Sequence, residues 1–455
     1  MSKQSFQVRS RWLLAAASFA ILAACGHAAP PAADGSPVAA AKPADSPAWP
    51  VAAVVDPTRL GFRAEGLQAL DARLKQAVDK GELAGISYAL VKDGEVAALK
   101  FHGNQSLGGR PMQEDTLFRI RSTGKTITAV AMMQLWEQGK WKPEDPITKF
   151  LPELANLKIA SSNDTLDNPV PVSRTPTMNE LMTHTAGFGY GLTLTNAVER
   201  AFMERDAGHA KDMQALVDLV AGIPLVVEPG KRWNYSIAVD LQGVIIERIS
   251  GKRLGEYFEQ NIFAPLAMKD TGFWLDEADR PRVATVYTRN PATGSLMVLP
   301  DQGNSAADDP FKRYSNFESG GGGASGLYST LHDFVRFTQM LLNKGELGGQ
   351  RILKPETVAF MTQNHIGNLK GVFGGDGYGF GYGGRVSLDG PTETTAQPEG
   401  SFSHFSIEGA WYWIDPANKI SFVGLIQRRG PAGPSGVAMG GDGDAPRLVY
   451  KALVK

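Results

Sequence analysis

The sequence predicts an α/β (α+β) fold in which one sheet is built from segments far apart in the chain. Three observations predict it. An alternating apolar pattern with a hairpin turn lies near the start of the folded part, and a second lies near its end. The long interval between them reads mainly as helix joined by Pro- and Gly-rich connections, so a helical region is expected to be inserted between the two halves of the sheet.

The chain opens differently. Arg9 and Arg11 precede "WLLAAASFAILAAC", a short apolar run that ends in small residues at Cys25. A basic start, a brief apolar core and a small-residue site describe a secretory signal, and Trp12 to Ala24 is too short to span a bilayer comfortably. "LAAC" resembles the lipobox of bacterial lipoproteins, which implies lipidation of Cys25. Gly26 after it implies an outer-membrane anchor facing the periplasm, the alternative being a soluble periplasmic or secreted protein. Cys25 is the only cysteine, so no intrachain disulfide can form. Residues 1–24 are read as signal peptide, 25–55, rich in Ala and Pro, as a tether, and 56–455 as the folded domain.

Charge narrows the function. Lys plus Arg number 46 against 47 Asp plus Glu, spread evenly, which gives no reason to expect a nucleic-acid partner. The seven histidines lack metal-ligand spacing, so no metal is expected.

Within the domain, "TRLGFRAEGLQALDARLKQAVDKGEL" carries helical periodicity from Pro57 to about Gly81. "AGISYALVKDGEVAALKFHG" alternates and turns at Asp93-Gly94. "TITAVAMMQLWEQG" is apolar on most faces, a buried helix that stops at Gly139. "LVDLVAGIP" and "IAVDLQGVIIERISG" are further helices, and "GGGGASGLYSTLHDFVRFTQMLLNKGEL" is a glycine-rich lead into another. "GAWYWIDPANKISFVGLIQ" is the second hairpin, turning at Asp415 to Asn418, and "DAPRLVYKALV" is a closing helix.

Ser122 and Lys125 stand three positions apart at the head of the buried helix, on neighbouring parts of one face. Ser-x-x-Lys is expected roughly once by chance in such a chain. If the lysine is buried, desolvation disfavours its ammonium form, and a neutral amine could take the Ser122 proton. There is no G-x-S-x-G, and "GKT" at 124–126 is no P-loop because Arg119 stands where its first glycine should be. A further proton carrier could be Tyr235 in "RWNYSIA" or Tyr314 in "KRYSNFE".

Four stretches then become specific. "LFRIRSTGKTITAVAMMQLWEQGK", "TMNELMTHTAGFGYG", "PGKRWNYSIAVDLQGVIIERISG" and "SGGGGASGLYSTLHDFVRFTQMLLN" resemble, in family order, the serine hydrolases related to class C β-lactamases, penicillin-binding proteins and family VIII carboxylesterases. The resemblance implies a β-lactamase/transpeptidase-like fold, with an antiparallel sheet and an all-helical insertion. The α/β part would be about 56–130 and 325–455, the helical part about 131–324, and the site would lie between them. It implies Ser122 as nucleophile, Lys125 as its partner and Tyr235, after Pro229-Gly230, as general base in preference to Tyr314.

The third family motif falls on His404, Phe405 and Ser406, with Ser406 at the usual glycine, and the N–H groups of Ser122 and Ile407 would form the oxyanion hole. His404, Phe405 and Ser406 would face substrate, and Trp233, Phe188 and Tyr190 would join Phe405 in an apolar acyl site. His184 would be structural and Asp240 a local hydrogen bonder. Ile237 replaces the β-lactamase Asn, and the motif lysine is missing, so neutral small-molecule esters are expected, with no cofactor. The alternatives are an amidase or DD-peptidase, a β-lactamase, or an inactive binding protein on the same scaffold.

Overall fold

The computed structural model describes residues 54–454 apart from 206, 208–209, 274, 300–325, 374, 391–396 and 431–442. Cys25, the signal segment, Tyr314 and most of the glycine run lie outside the described residues.

In chain order the helices are α1 (Ala64–Asp79), α2 (Lys125–Glu137), α3 (Met178–Met182), α4 (Ala197–Glu204), α5 (Met213–Ala221), α6 (Ala238–Ser250), α7 (Leu254–Phe258), α8 (Leu331–Leu342), α9 (Pro355–Met361) and α10 (Asp444–Ala452). The main sheet comprises β1 (Gly85–Lys92), β2 (Glu95–Gly103), β3 (Tyr378–Phe380), β4 (Arg385–Ser387), β5 (Phe402–Phe405), β6 (Trp411–Asp415) and β7 (Ile420–Leu425).

The sheet order is β3-β4-β5-β6-β7-β1-β2, and every neighbouring pair is antiparallel. The two ends of the chain therefore meet within the sheet, where β1, next to the edge strand β2, pairs with β7 from Ser87↔Leu425 to Lys92↔Ile420. Asp93 (φ 52°) and Gly94 (φ 79°) both take the left-handed conformation that a tight two-residue hairpin turn requires. One expectation changes: Pro57–Leu60 is a separate 3-10 turn, and α1 starts only at Ala64 because Gly61, at φ 75°, breaks the run.

The period of two along each strand divides the core into two layers. Tyr88, Leu90, Trp411, Trp413 and Phe422 pack with α1 and α10 on one face, and the Trp413 and Phe422 rings stack at 4.4 Å. Ala89, Val91, Tyr412, Ile414, Val423 and Leu425 face the other way, into the core that holds α2 and α8. Residues 127–133 of α2 are all fully buried, as their nearly uninterrupted apolar character predicts. The helix packs against α6, which places its first turn between the sheet layer and the helices α3 to α7. Each large aliphatic side chain so buried contributes about 1.5–3 kcal/mol relative to exposure.

Candidate active site

Phe118–Arg119 pairs with Tyr328–Ser329, and the chain then turns sharply, with Arg121 at φ 48°, into the 3-10 turn Arg121–Gly124 that carries Ser122. Lys125 follows as the first residue of α2 and is fully buried, its Nζ 3.3 Å from Ser122 Oγ. This turn is held from the side. Thr126 Oγ1 donates to the Gly383 carbonyl at 2.6 Å and lies 2.6 Å from the Tyr412 hydroxyl. Gly383 (φ 84°) approaches so closely that a Cβ there would sit 2.5 Å from the Ala129 Cβ.

Tyr235 arrives on the loop before α6, and its hydroxyl lies 2.9 Å from Ser122 Oγ. The loop is fixed to the His184 segment: the N–H of Gly230 donates to Thr185 O at 2.8 Å and that of Asn234 to His184 O at 2.8 Å. His184 is buried at φ 60° and its Nδ1 accepts from the Ser236 N–H at 3.2 Å. Burial holds its pKa well below the ordinary value, so it is a neutral acceptor, and its ring centroid lies 4.8 Å from that of Tyr235. Its contacts are those of a structural support.

The surroundings of Lys125 differ from expectation in three ways. Burial opposes its charge, but Tyr190, Tyr235 and Asp240 more than offset this, so its pKa is raised and the residue is an ammonium rather than a neutral amine. Tyr190 is a partner of Lys125, with its hydroxyl 3.4 Å from Nζ, rather than a wall of an acyl pocket. Asp240 is fully buried, and neither of its carboxylate oxygens has a hydrogen-bond partner among the described residues, so it is no local hydrogen bonder. Burial pushes its carboxyl up to about 8, with Lys125 opposing.

Ser122 and Tyr235 open into a cavity of about 230 Å³ lined also by Leu192, Phe373, His404, Phe405, Ser406, Ile407 and Arg428. Burial, with Lys125, lowers His404 to about 3, so no positive charge stands at the place of the family lysine. The Ser406 side chain is used locally: its Oγ accepts from the Ala410 N–H at 2.9 Å, while its own N–H donates to Ala410 O at 2.7 Å. The chain thus turns immediately after β5 and leaves Ile407 half exposed at the tip. Neither the Ser122 nor the Ile407 N–H donates to another described residue.

Two expected lining residues sit elsewhere. Phe188 is 1% exposed and belongs to the main core, too deep to meet a substrate. Trp233 lines an adjoining cavity of about 630 Å³, which shares Leu192, Tyr235 and Phe373 with the first. Leu192, Phe373 and Arg428 were not legible as site residues, because each lies in a stretch without a motif. Arg121 and Glu408 stand beside Ser122 and Ile407, but nothing in the sequence pairs them; they form an ion pair at 2.9 Å whose members are 4% and 0% exposed.

With this geometry in view, the Beta-lactamase family model matches residues 70–439. Esterase EstB of Burkholderia gladioli is 30% identical over 403 residues, covering 85% of this chain and 98% of that protein. Protein Rv1367c of Mycobacterium tuberculosis is 32% identical over 381 residues, covering 79% and 90% respectively. Among solved structures, "EstCE1, a hydrolase with promiscuous acyltransferase activity" superposes with a TM-score of 0.69 at 25% identity, covering 85% of this chain and 98% of its own.

Proposed function

The chain belongs to the Beta-lactamase family and is a serine hydrolase of that superfamily, and from this premise we propose that it cleaves carboxylic esters through an acyl-enzyme on Ser122. The observation that carries the reading is the meeting of Ser122, Lys125 and Tyr235 at 2.9 and 3.3 Å beneath a cavity walled by Leu192, Phe373, Phe405 and Ile407, with a neutral His404 at its strand edge. The likeness to Esterase EstB points the same way.

With Tyr235 acting as its phenolate beside the Lys125 charge, Ser122 Oγ attacks the ester carbonyl carbon while its proton passes to the Tyr235 oxygen. Lys125, a fixed positive charge 3.3 Å from Oγ and 5.2 Å from the Tyr235 ring centroid, steadies the negative charge in transit. The N–H groups of Ser122 and Ile407 receive the charge that develops on the carbonyl oxygen. Tyr235 then protonates the departing alcohol, and water, deprotonated by the same group, releases the acid and restores Ser122.

A second reading has one observation in its favour. Arg428 lines the same cavity, so an amide or peptide substrate bearing a carboxylate would find a cation there. The test compares p-nitrophenyl butyrate, a chromogenic cephalosporin and a D-Ala-D-Ala peptide on the purified protein and on Ser122→Ala. Ester turnover lost in the variant, with little cleavage of the other two, is expected. Ser122-dependent peptide or cephalosporin cleavage exceeding ester cleavage would replace the ester reading, and turnover unaffected by Ser122→Ala would remove the nucleophile.

A further inference from the structure

We infer that the buried Arg121–Glu408 ion pair is a clamp that sets the spacing of the oxyanion hole. The inference rests on the proposed roles of the Ser122 and Ile407 N–H groups. Arg121 is the residue before Ser122, and Glu408 is the residue after Ile407. The pair therefore joins, across 287 positions of sequence, the two backbone segments whose N–H groups must converge on one oxygen.

Little else in the backbone does this. The β5–β6 ladder ends at Phe405↔Trp411, before Ile407. The Ser122 turn stands outside the main sheet, tied before it by Phe118–Arg119 to Tyr328–Ser329 and to the Gln427 side chain, and after it by Thr126 to Gly383 and Tyr412, none of which reaches the Ile407 segment. The two N–H groups have no described acceptor to fix them. Glu408 is itself anchored on the far side, where Arg429 reaches its Oε1 at 2.5 Å and the Arg428 N–H donates to its backbone oxygen at 3.0 Å. Position thus passes from the chain after β7, through Glu408, to Arg121 and the nucleophile turn.

Two further features support a positional role. A buried ion pair is a weak source of net stability, because both charges lose their water, but it fixes geometry well through directed hydrogen bonds. Arg121 also holds φ at 48°, a conformation that a side-chain-bearing residue keeps only where its surroundings determine it. Arg121 and Arg429 offset the burial of Glu408 and hold its carboxyl below the ordinary range, so the clamp stays charged through neutral pH. Both are positioning residues, since neither is assigned a contact with the reacting atoms.

The test uses Glu408→Gln, which keeps the shape and removes the charge, and the double variant Arg121→Met/Glu408→Met, which removes both charges together. Three quantities are measured per folded molecule: kcat and KM for p-nitrophenyl butyrate, and the Ki of butylboronic acid, whose tetrahedral adduct on Ser122 places an oxygen in the hole. A fall in kcat of about 10- to 100-fold, below the full loss of a donor, is expected. KM should stay within about three-fold, and the boronate Ki should rise in step with kcat. Folded Glu408→Gln with unchanged kcat and Ki, or an effect confined to KM, overturns the clamp even if the double variant does not fold. If the unmodified protein hydrolyses no ester but binds boronate through Ser122, the ester reading falls while the comparison of Ki values still decides the clamp.

Discussion

Replacing Asp240 by Asn probes the charge balance beneath Lys125. Burial, with Lys125 opposing, raises the Asp240 carboxyl from its ordinary 3.8 to about 8. The unfolded chain releases this proton near its ordinary value, whereas the folded protein keeps it up to about 8. Between those limits the folded state binds more protons, so the stability linked to this group is fully present below the unfolded pKa and is lost as pH rises through the folded one. A shift of roughly four units at about 1.4 kcal/mol per unit bounds the effect at about 5–6 kcal/mol. Asparagine does not titrate, so its cost or benefit is constant across the range. Urea unfolding of both proteins at pH 5, 7 and 9 is the assay. The stability of Asp240→Asn relative to the unmodified protein should improve by several kcal/mol from pH 5 to pH 9, most of it below pH 8. Parallel pH dependences would mean that Asp240 is ionised throughout, and the raised carboxyl would be wrong.

Tyr235→Phe should lower kcat for an ester substrate by about 10² to 10⁴, as loss of the general base implies, while Tyr190→Phe, whose lost hydroxyl lies 3.4 Å from Lys125 Nζ, should cost about ten-fold or less; equal losses would make Tyr190 a second proton carrier. Gly383→Ala forces a strained φ of 84° and places a Cβ 2.5 Å from Ala129 at the head of α2, so both Tm and kcat should fall, and wild-type values for both would show that the first turn of α2 does not depend on this contact.

Legibility in the sequence followed local order. Asp93-Gly94, the mostly apolar α2 and the second hairpin are written in adjacent residues, and each stands where periodicity and turn chemistry place it. Motif spacing likewise brought Ser122, Lys125 and Tyr235 to attention, although Tyr235 was chosen over Tyr314 only through the resemblance. What the sequence hides is pairing at a distance. Phe188 and Trp233 were assigned by residue type, yet type cannot say which aromatic ring is drawn into the core and which lines a cavity. The charge of Lys125 depends on Tyr190 and Asp240, 65 and 115 residues away, and burial alone gives the wrong sign. The small hairpin Tyr287–Arg289 with Leu296–Val298 is not legible either, because its strands are three residues each and leave no long alternation.

The pairing of β1 with β7 has a consequence for synthesis. Lys92 emerges from the ribosome 328 residues before its partner Ile420, an interval of some tens of seconds at roughly 5–20 residues per second. Until then the outer edge of β1 has no partner strand, and an isolated hairpin is marginal in water. Ile407 and Glu408 arrive in the same late portion of the chain, so the nucleophile turn is made early and completed last. A nascent or truncated chain that ends before β5 therefore carries Ser122, Lys125 and Tyr235 without the groove edge they need, and hydrolytic competence waits for the C-terminal strands to close on the N-terminal hairpin.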